Sequence, residues 1–243
     1  MSLLELKGVS KSFGGLMAVK DLDLTISGGE IVGLIGPNGA GKTTVFNLIM
    51  GFHTADHGDV YFDGDRTTRL KPYDLCFRGM GRTFQIVKPF GTKSVLRNAM
   101  VGAFCRVRTA QEAEQVAMEV LDFTGLLSKK DLLAKSLTIA DRKRLELAKA
   151  LATRPKLLLL DEVMAGLNPT ETEEVISLVR KIHGQGITLF LIEHVMQAVM
   201  KLSERVVLLH HGEKIVEGTP EEMASDKRVI KAYLGDEYVI ARA

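Results

Sequence analysis

Gly36-Pro37-Asn38-Gly39-Ala40-Gly41-Lys42-Thr43 fills every fixed position of the pattern GxxxxGK[ST], and its flanks decide how the chain folds. Before it, Ile31-Val32-Gly33-Leu34-Ile35 is apolar almost throughout, as a strand buried on both faces must be. After it, a helix is predicted from near Lys42, carrying Val45, Phe46, Leu48 and Ile49 and stopping at Gly51. Gly36, Gly39 and Gly41 let the backbone curl until successive N–H groups converge on one anion, and the helix start adds partial positive charge. Lys42 supplies a point charge for β- and γ-phosphates, and the Thr43 hydroxyl is placed to ligate Mg²⁺. Pro37, Asn38, Ala40 and Thr44 complete the expected nucleotide-binding stretch. The plainer reading is a glycine-rich turn with a chance Lys-Thr, and the flanking strand and helix weigh against it. The stretch predicts binding of a nucleoside triphosphate.

The 243 residues suit one large α/β domain, or a domain with a subdomain. Lys and Arg number 32 against 30 Asp and Glu, a net charge of +2, which argues against nucleic acid as the main partner. Cys76 and Cys105 stand apart in sequence without metal-ligand spacing, so they are expected to be buried or idle thiols of a reducing compartment. Met1-Ser2-Leu3-Leu4-Glu5 has an early acid and no cationic leader, which predicts no signal peptide. No apolar run approaches the ~20 residues needed to span a bilayer. The expectation is a cytoplasmic protein; if it works at a membrane, other chains do the spanning.

Leu4 to Lys7 and Val19 to Ile26 alternate like antiparallel strands, and Val60-Tyr61-Phe62 before Asp63-Gly64 reads as another. Residues 92–152 read as helical, with breaker-free helix formers over 110–121 and apolar Leu145, Leu147, Ala148 and Leu151 at helical spacing. Strand–helix alternation then resumes. Lys156 to Leu160 is a strand, Pro169 to His183 a helix with proline in its first turn, and residues 186–192 a buried strand. Arg205 to Leu209 and Lys214 to Val216 flank His211-Gly212 as a hairpin, and short helices at 220–224 and 229–234 follow. The prediction is one α/β domain of P-loop NTPase type. Residues 1–91 and 153–243 form a core with an N-terminal antiparallel β part, and 92–152 form an inserted α-helical subdomain.

The second site element is Leu157-Leu158-Leu159-Leu160-Asp161-Glu162. Four apolar residues bury the strand, and the first acid beyond them emerges where phosphates are expected. Asp161 suits Mg²⁺, and Glu162, pointing the other way, suits taking a proton from an attacking water. A solvated acidic strand end is the bland alternative. Taken together with Gly81-Arg82-Thr83-Phe84-Gln85, Leu137 to Arg144, Ala165-Gly166-Leu167-Asn168 and Ile192-Glu193-His194, these motifs stand in the order of the ATP-binding-cassette (ABC) ATPases, which the chain resembles over essentially its whole length. Arg82 to Gln85, Ala165 to Pro169 and Arg228-Val229-Ile230-Lys231-Ala232-Tyr233-Leu234-Gly235 are similar to the first ATPase subunit of branched-chain (hydrophobic) amino-acid importers.

The resemblance implies ATP and Mg²⁺ as ligands, with Phe13 stacked on adenine and Val19 packed beside it. Gln85 would contact Mg²⁺ or the attacking water and link the site to membrane subunits, and His194 would touch the γ-phosphate. By residue type alone, Phe13 reads equally well as a half-buried strand residue, and His194 as a cap or packing residue. The family's signature, Leu-Ser-Gly-Gly-Gln, here reads Leu137-Thr138-Ile139-Ala140-Asp141. Thr138 and Asp141 resemble a helix-capping box, Ala140 adds a Cβ where a glycine backbone would approach a phosphate, and Asp141 adds a carboxylate.

The implied partners are a second cassette in a homo- or heterodimer, transmembrane permease subunits and, indirectly, an external solute-binding protein. The implied location is the inner face of the cell membrane. An exporter or lipid-transport ATPase shares every catalytic residue and is the alternative. A soluble ABC ATPase acting on DNA or ribosomes is disfavoured, because residues 86–136 leave no room for a long coiled-coil insert and there is one phosphate loop. A non-hydrolysing regulatory cassette is opposed by Glu162. Phe84, Ile86, Val87, Phe90 and Val95 form an apolar cluster around Gln85, read either as the insert's own core or as an exposed groove for a partner helix.

Overall fold

The structure, a computed structural model, describes residues 2–85 and 88–234. It divides into two compact units, one comprising Met1–Leu75 with Thr188–Ala243 and the other Cys76–Ile187. In the first unit β1 (Ser2–Phe13) and β2 (Leu16–Ser27) form a hairpin. Their alternation buries Leu4 against Ile26 and Leu6 against Leu24, and Lys7 stays in solvent. The period breaks at Gly8, whose φ of +56° places a bulge there, and the next buried residue is Val9. β3 (Ile31–Ile35) follows, buried throughout, and the phosphate loop leads from it into α1 (Lys42–Ile49). Phe46 of α1 packs against Phe190 with ring centroids 5.0 Å apart. β4 (His57–Phe62) and β5 (Asp65–Arg66) complete an antiparallel sheet of order β2-β1-β4-β5.

α2 (Pro72–Arg78) contains the boundary between the units. The second unit continues with β6 (Met80–Arg82) and three helices, α3 (Val95–Ala103), α4 (Ala110–Phe123) and α5 (Ile139–Ala152). The stretch expected to be helical is thus three capped helices, with two 3₁₀ turns at 127–129 and 134–136. Ser94 caps α3, and Thr109 with Glu112 forms a capping box on α4. Val95, Ala99, Ala117, Leu121, Leu145 and Ala148 make their shared core. A Cβ at Gly102 would come within 2.2 Å of the Lys149 carbonyl oxygen, so the glycine lets α3 lie directly on α5. β7 (Leu157–Asp161) pairs in parallel with β6, and α6 (Pro169–His183) starts at an Asn168–Glu171 capping box. Cys76 and Cys105, far apart in sequence, are neighbours here with sulfurs 3.5 Å apart. Burial, and then Cys105, push the Cys76 thiol up to about 11.

The chain returns to the first unit with β8 (Thr188–Ile192) and α7 (Met196–Leu202). The β9 (Arg205–His210) and β10 (Glu213–Gly218) hairpin follows, then α8 (Pro220–Ser225) and α9 (Lys227–Leu234). β3 lies between β8 and β9, parallel to both, and β10 pairs antiparallel at the edge. The architecture is α/β with parallel strands, an antiparallel β part and an α-helical part, as the sequence predicts.

Candidate functional site

Parallel pairing decides where the functional loops emerge. In the first unit β3 and β8 run in register, Leu34 opposite Ile192, so the phosphate loop and His194 leave the carboxyl ends of adjacent strands. Gly36 to Gly41 is clasped by its surroundings. A Cβ at Gly36 would lie 2.1 Å from the Leu209 carbonyl oxygen, and one at Gly41 2.3 Å from that of Ala18. The Gly212 N–H donates to Ala40 O at 2.9 Å. Gly41, with φ +104°, stands at the N-cap of α1 with no side chain to satisfy the first-turn N–H groups, and no acid occupies that turn. Those donors and the helix dipole face an anion site. Lys42 is buried and donates to the loop's own carbonyls, Gly36 O at 2.6 Å and Pro37 O at 3.0 Å. Thr43 is exposed and Thr44 half-buried. Phe13 ends β1 with 42% of its surface exposed, edge-on to His53 at 5.1 Å, and Val19 is fully buried in β2. His194 is exposed, next to a buried Glu193.

In the second unit β6 and β7 run in register, Arg82 opposite Leu159, which brings Gln85 and the Asp161-Glu162 pair to the same end. Thr83, fully buried, stitches them: its N–H donates to Leu159 O at 3.0 Å, and its hydroxyl accepts from Asp161 N at 3.1 Å. Asp161 is buried, its Oδ2 2.7 Å from Arg82 Nη2. Glu162 sits at φ +50°, a left-handed conformation uncommon for a residue with a Cβ, and its carboxylate meets a different partner from that of Asp161. Its Oε2 accepts from Gln85 Nε2 at 2.5 Å, and its carbonyl accepts from the buried Lys143 Nζ at 2.8 Å. Arg82 and Lys143 are site residues that motif reading did not single out, although both lie within quoted motifs.

Thr138 caps α5 as expected, accepting from Asp141 N at 3.2 Å. The reciprocal arm of the expected capping box is not made. The Asp141 carboxylate, 5% exposed as a residue, turns to Lys129 Nζ at 2.5 Å. Ala140 and Leu137 are buried, whereas Ile139 is 61% exposed and Thr138 is exposed. Of the apolar cluster around Gln85, Val95 is fully buried, Phe84 and Phe90 are 46% and 54% exposed, and Ile86 and Val87 lie outside the described residues. Val95 therefore belongs to the helical core, whereas the two phenylalanines keep about half of their surface in solvent, Phe84 with the Arg82 guanidinium 5.4 Å from its ring centre.

Among the described residues no three His, Cys, Asp or Glu side chains gather to hold a metal. Hydroxyl, amide and single carboxylate oxygens are still the hard donors Mg²⁺ takes when phosphates supply the rest of its shell; Thr43 in the first unit, and Gln85 and Asp161 in the second, each carry an oxygen of that kind. No helix among the described residues is long and apolar enough to cross a membrane.

A family model described as "ABC transporter" matches residues 19–165, and one described as "Branched-chain amino acid ATP-binding cassette transporter" matches residues 213–239. The chain is 36% identical to the high-affinity branched-chain amino acid transport ATP-binding protein BraF of Pseudomonas aeruginosa, and 37% identical to LivG, of the same description, from Escherichia coli K12. Both alignments cover 96% of this chain and 98% of the relative. It is 33% identical to the lipopolysaccharide export system ATP-binding protein LptB of Escherichia coli K12, over 98% of this chain and 99% of that one. Among solved structures, a nucleotide-free ATP-binding cassette from an ABC transporter gives a TM-score of 0.89 at 29% identity, covering 97% of this chain and all of that one. A dimeric cassette bound to ADP and Pi after hydrolysis gives 0.81 at 26% identity, covering 89% and 98%.

Proposed function

The chain belongs to the ABC transporter ATPase family, and on that premise we propose that it energises uptake of branched-chain or other hydrophobic amino acids through separate transmembrane permease subunits. It is an ATP-binding and ATP-hydrolysing subunit of an importer. The observation that carries the amino-acid reading is the match of residues 213–239 to the branched-chain cassette model. The lipopolysaccharide-export relative is nearly as similar overall, so exporter work is the second reading, and the catalytic residues do not separate the two.

In the proposed cycle Phe13, backed by Val19, receives the adenine, and the clasped loop from Gly36 to Thr44 receives the phosphates. Lys42 exchanges the Gly36 and Pro37 carbonyls for phosphate oxygens of greater charge. Thr43, Asp161 and Gln85 would hold Mg²⁺, which neutralises phosphate charge when bound. Glu162 accepts the proton of the water whose oxygen attacks the γ-phosphorus, the bond to the leaving ADP oxygen breaks, and ADP and phosphate result. The Lys143 contact to its carbonyl and the Gln85 amide at its carboxylate hold that base in place, and His194 steadies the γ-phosphate. Leu137 to Asp141 serve a partner cassette's nucleotide in trans. Permeases seated on the exposed Phe84 and Phe90 would place the chain on the inner face of the membrane, served by an external solute-binding protein.

The test is Glu162→Gln in the purified chain and in the complex with its permeases. ATP binding is expected to persist while hydrolysis falls ~10²–10⁴-fold, the usual worth of a positioned base. Unchanged turnover would reject Glu162 as the base. Uptake of a labelled branched-chain amino acid into vesicles carrying the complex, absent with Glu162→Gln, tests the substrate class.

A further inference from the structure

The C-terminal helix reaches back to the first residue of the phosphate loop. Thr219-Pro220-Glu221-Glu222 starts α8 with a capping box and proline at the helix start. Asp226 then ends α8 and organises the next turn. It accepts from Arg228 N at 2.7 Å and pairs with Arg228 Nη2 at 2.6 Å, and Ile230 N donates to its carbonyl at 3.1 Å. Val229 anchors α9 in the core, and one turn further on Tyr233 points at the loop. The Gly36 N–H donates to Tyr233 Oη at 2.8 Å across 197 positions of sequence. Burial raises the phenol's pKa against the opposing effect of the Gly36 bond, so the hydroxyl stays protonated at neutral pH.

Gly36 is where β3 becomes the loop. Pressed on the Leu209 carbonyl, it has no side chain of its own to fix its direction. Its carbonyl is held by Lys42 Nζ and its N–H by Tyr233, so both polar groups of the hinge are tied. Lys42 must leave that carbonyl to meet phosphate, whereas the Tyr233 bond engages the far side of the same residue and need not break. We propose that Tyr233 is a positioning residue for nucleotide binding: from the C-terminal helix its hydroxyl fixes Gly36 and so pre-arranges the N–H groups downstream for the phosphates. A hinge tilt there displaces every later donor, and an ordered loop spares the nucleotide the entropy of ordering it. The inference rests on this loop binding ATP, and it gives the family-matching C-terminal segment a task within this chain.

The experiment compares parent, Tyr233→Phe and Tyr233→Leu as full-length chains. It measures the Kd of a non-hydrolysable ATP analogue by calorimetry, steady-state kcat and KM, and amide exchange of the phosphate-loop peptide. Phe keeps the ring and leaves the half-buried Gly36 N–H without its acceptor. Both variants are expected to bind about tenfold more weakly and to raise KM to match, with kcat within about twofold and loop exchange faster. Parental affinity in Tyr233→Phe overturns the proposal, whatever happens to Tm. Weakening in Tyr233→Leu alone also overturns it, because ring packing rather than the hydroxyl would be responsible. Failure of the parent chain to bind the analogue would instead sink the ATP assignment of the loop.

Discussion

Asp161 and Glu162 are adjacent carboxylates with opposite settings, and Arg82 makes much of the difference. The Arg82 and Asp161 side chains are 5% and 4% exposed, so each charge is supported by the other rather than by water. Removing one partner of such a pair leaves a buried uncompensated charge, which costs about 3–5 kcal/mol, far more than a surface pair is worth. Arg82→Met is therefore expected to lower the unfolding free energy in urea by about that amount, and adding Asp161→Asn to restore most of it. A loss below about 1 kcal/mol in the single variant would show that water reaches Asp161. The partner itself was hidden from sequence reading. The places of Lys42 at the start of α1 and of Asp161 and Glu162 at the end of β7 are legible because strand, turn and helix signals lie within a few residues of them. Arg82 meets Asp161 across 79 positions and Tyr233 meets Gly36 across 197, and no local pattern encodes such meetings. The partner of Asp141 was hidden for the same reason: its spacing from Thr138 fits a capping box, but Lys129, on the 3₁₀ turn at 127–129, takes its carboxylate.

Elements depend on short contacts that periodicity does not report, and Asp56 is an example. Standing between α1 and β4, it accepts from Lys11 Nζ at 2.6 Å and from Ser12 N at 2.7 Å, fastening the end of β1 that presents Phe13. The Lys11 bond, then the Ser12 N–H, hold its carboxyl at about 2. The depressed value means that this contribution is whole above about pH 4 and is lost as pH falls through about 2. Asp56→Asn is expected to lower Tm at pH 6, with the gap to the parent narrowing steadily between about pH 4 and pH 2. A gap constant over that range would assign the effect to side-chain shape rather than charge. The long elements were legible because burial gives them a full period, and Pro169 to His183 also starts where its proline says it must. α2 was not, because Tyr73 and Phe77 are exposed and Leu75 is its buried residue, leaving no apolar face to count. β6 was missed because a three-residue strand is too short to alternate.

For the whole molecule the decisive question is what it offers a second cassette. In the proposed dimer with a second cassette, this chain contributes its own phosphate loop and Glu162 to one nucleotide and its signature segment, in trans, to the other. The carboxylate of Asp141 does not face that second nucleotide, since it is buried and neutralised by Lys129, and like-charge repulsion drops out of the argument. What the segment exposes is Thr138, whose hydroxyl already caps α5, and the Ile139 side chain. An apolar side chain in place of bare backbone donors gives less stabilisation to charge developing on the γ-phosphate, and one missing donor of that kind costs ~10²–10³-fold in turnover. With a partner bearing the family's usual signature, the two sites are therefore expected to be unequal. The site built on Lys42 and Glu162 carries most of the hydrolysis, and the site completed by Thr138 and Ile139 runs slowly. Glu162→Gln in this chain, and the equivalent change in the partner, are to be compared in the assembled complex. The first is expected to remove nearly all ATP turnover and the second a minor share. Equal losses would overturn the asymmetry, as would rapid hydrolysis by this chain alone at low concentration, where ATP would have to bridge the same altered segment twice.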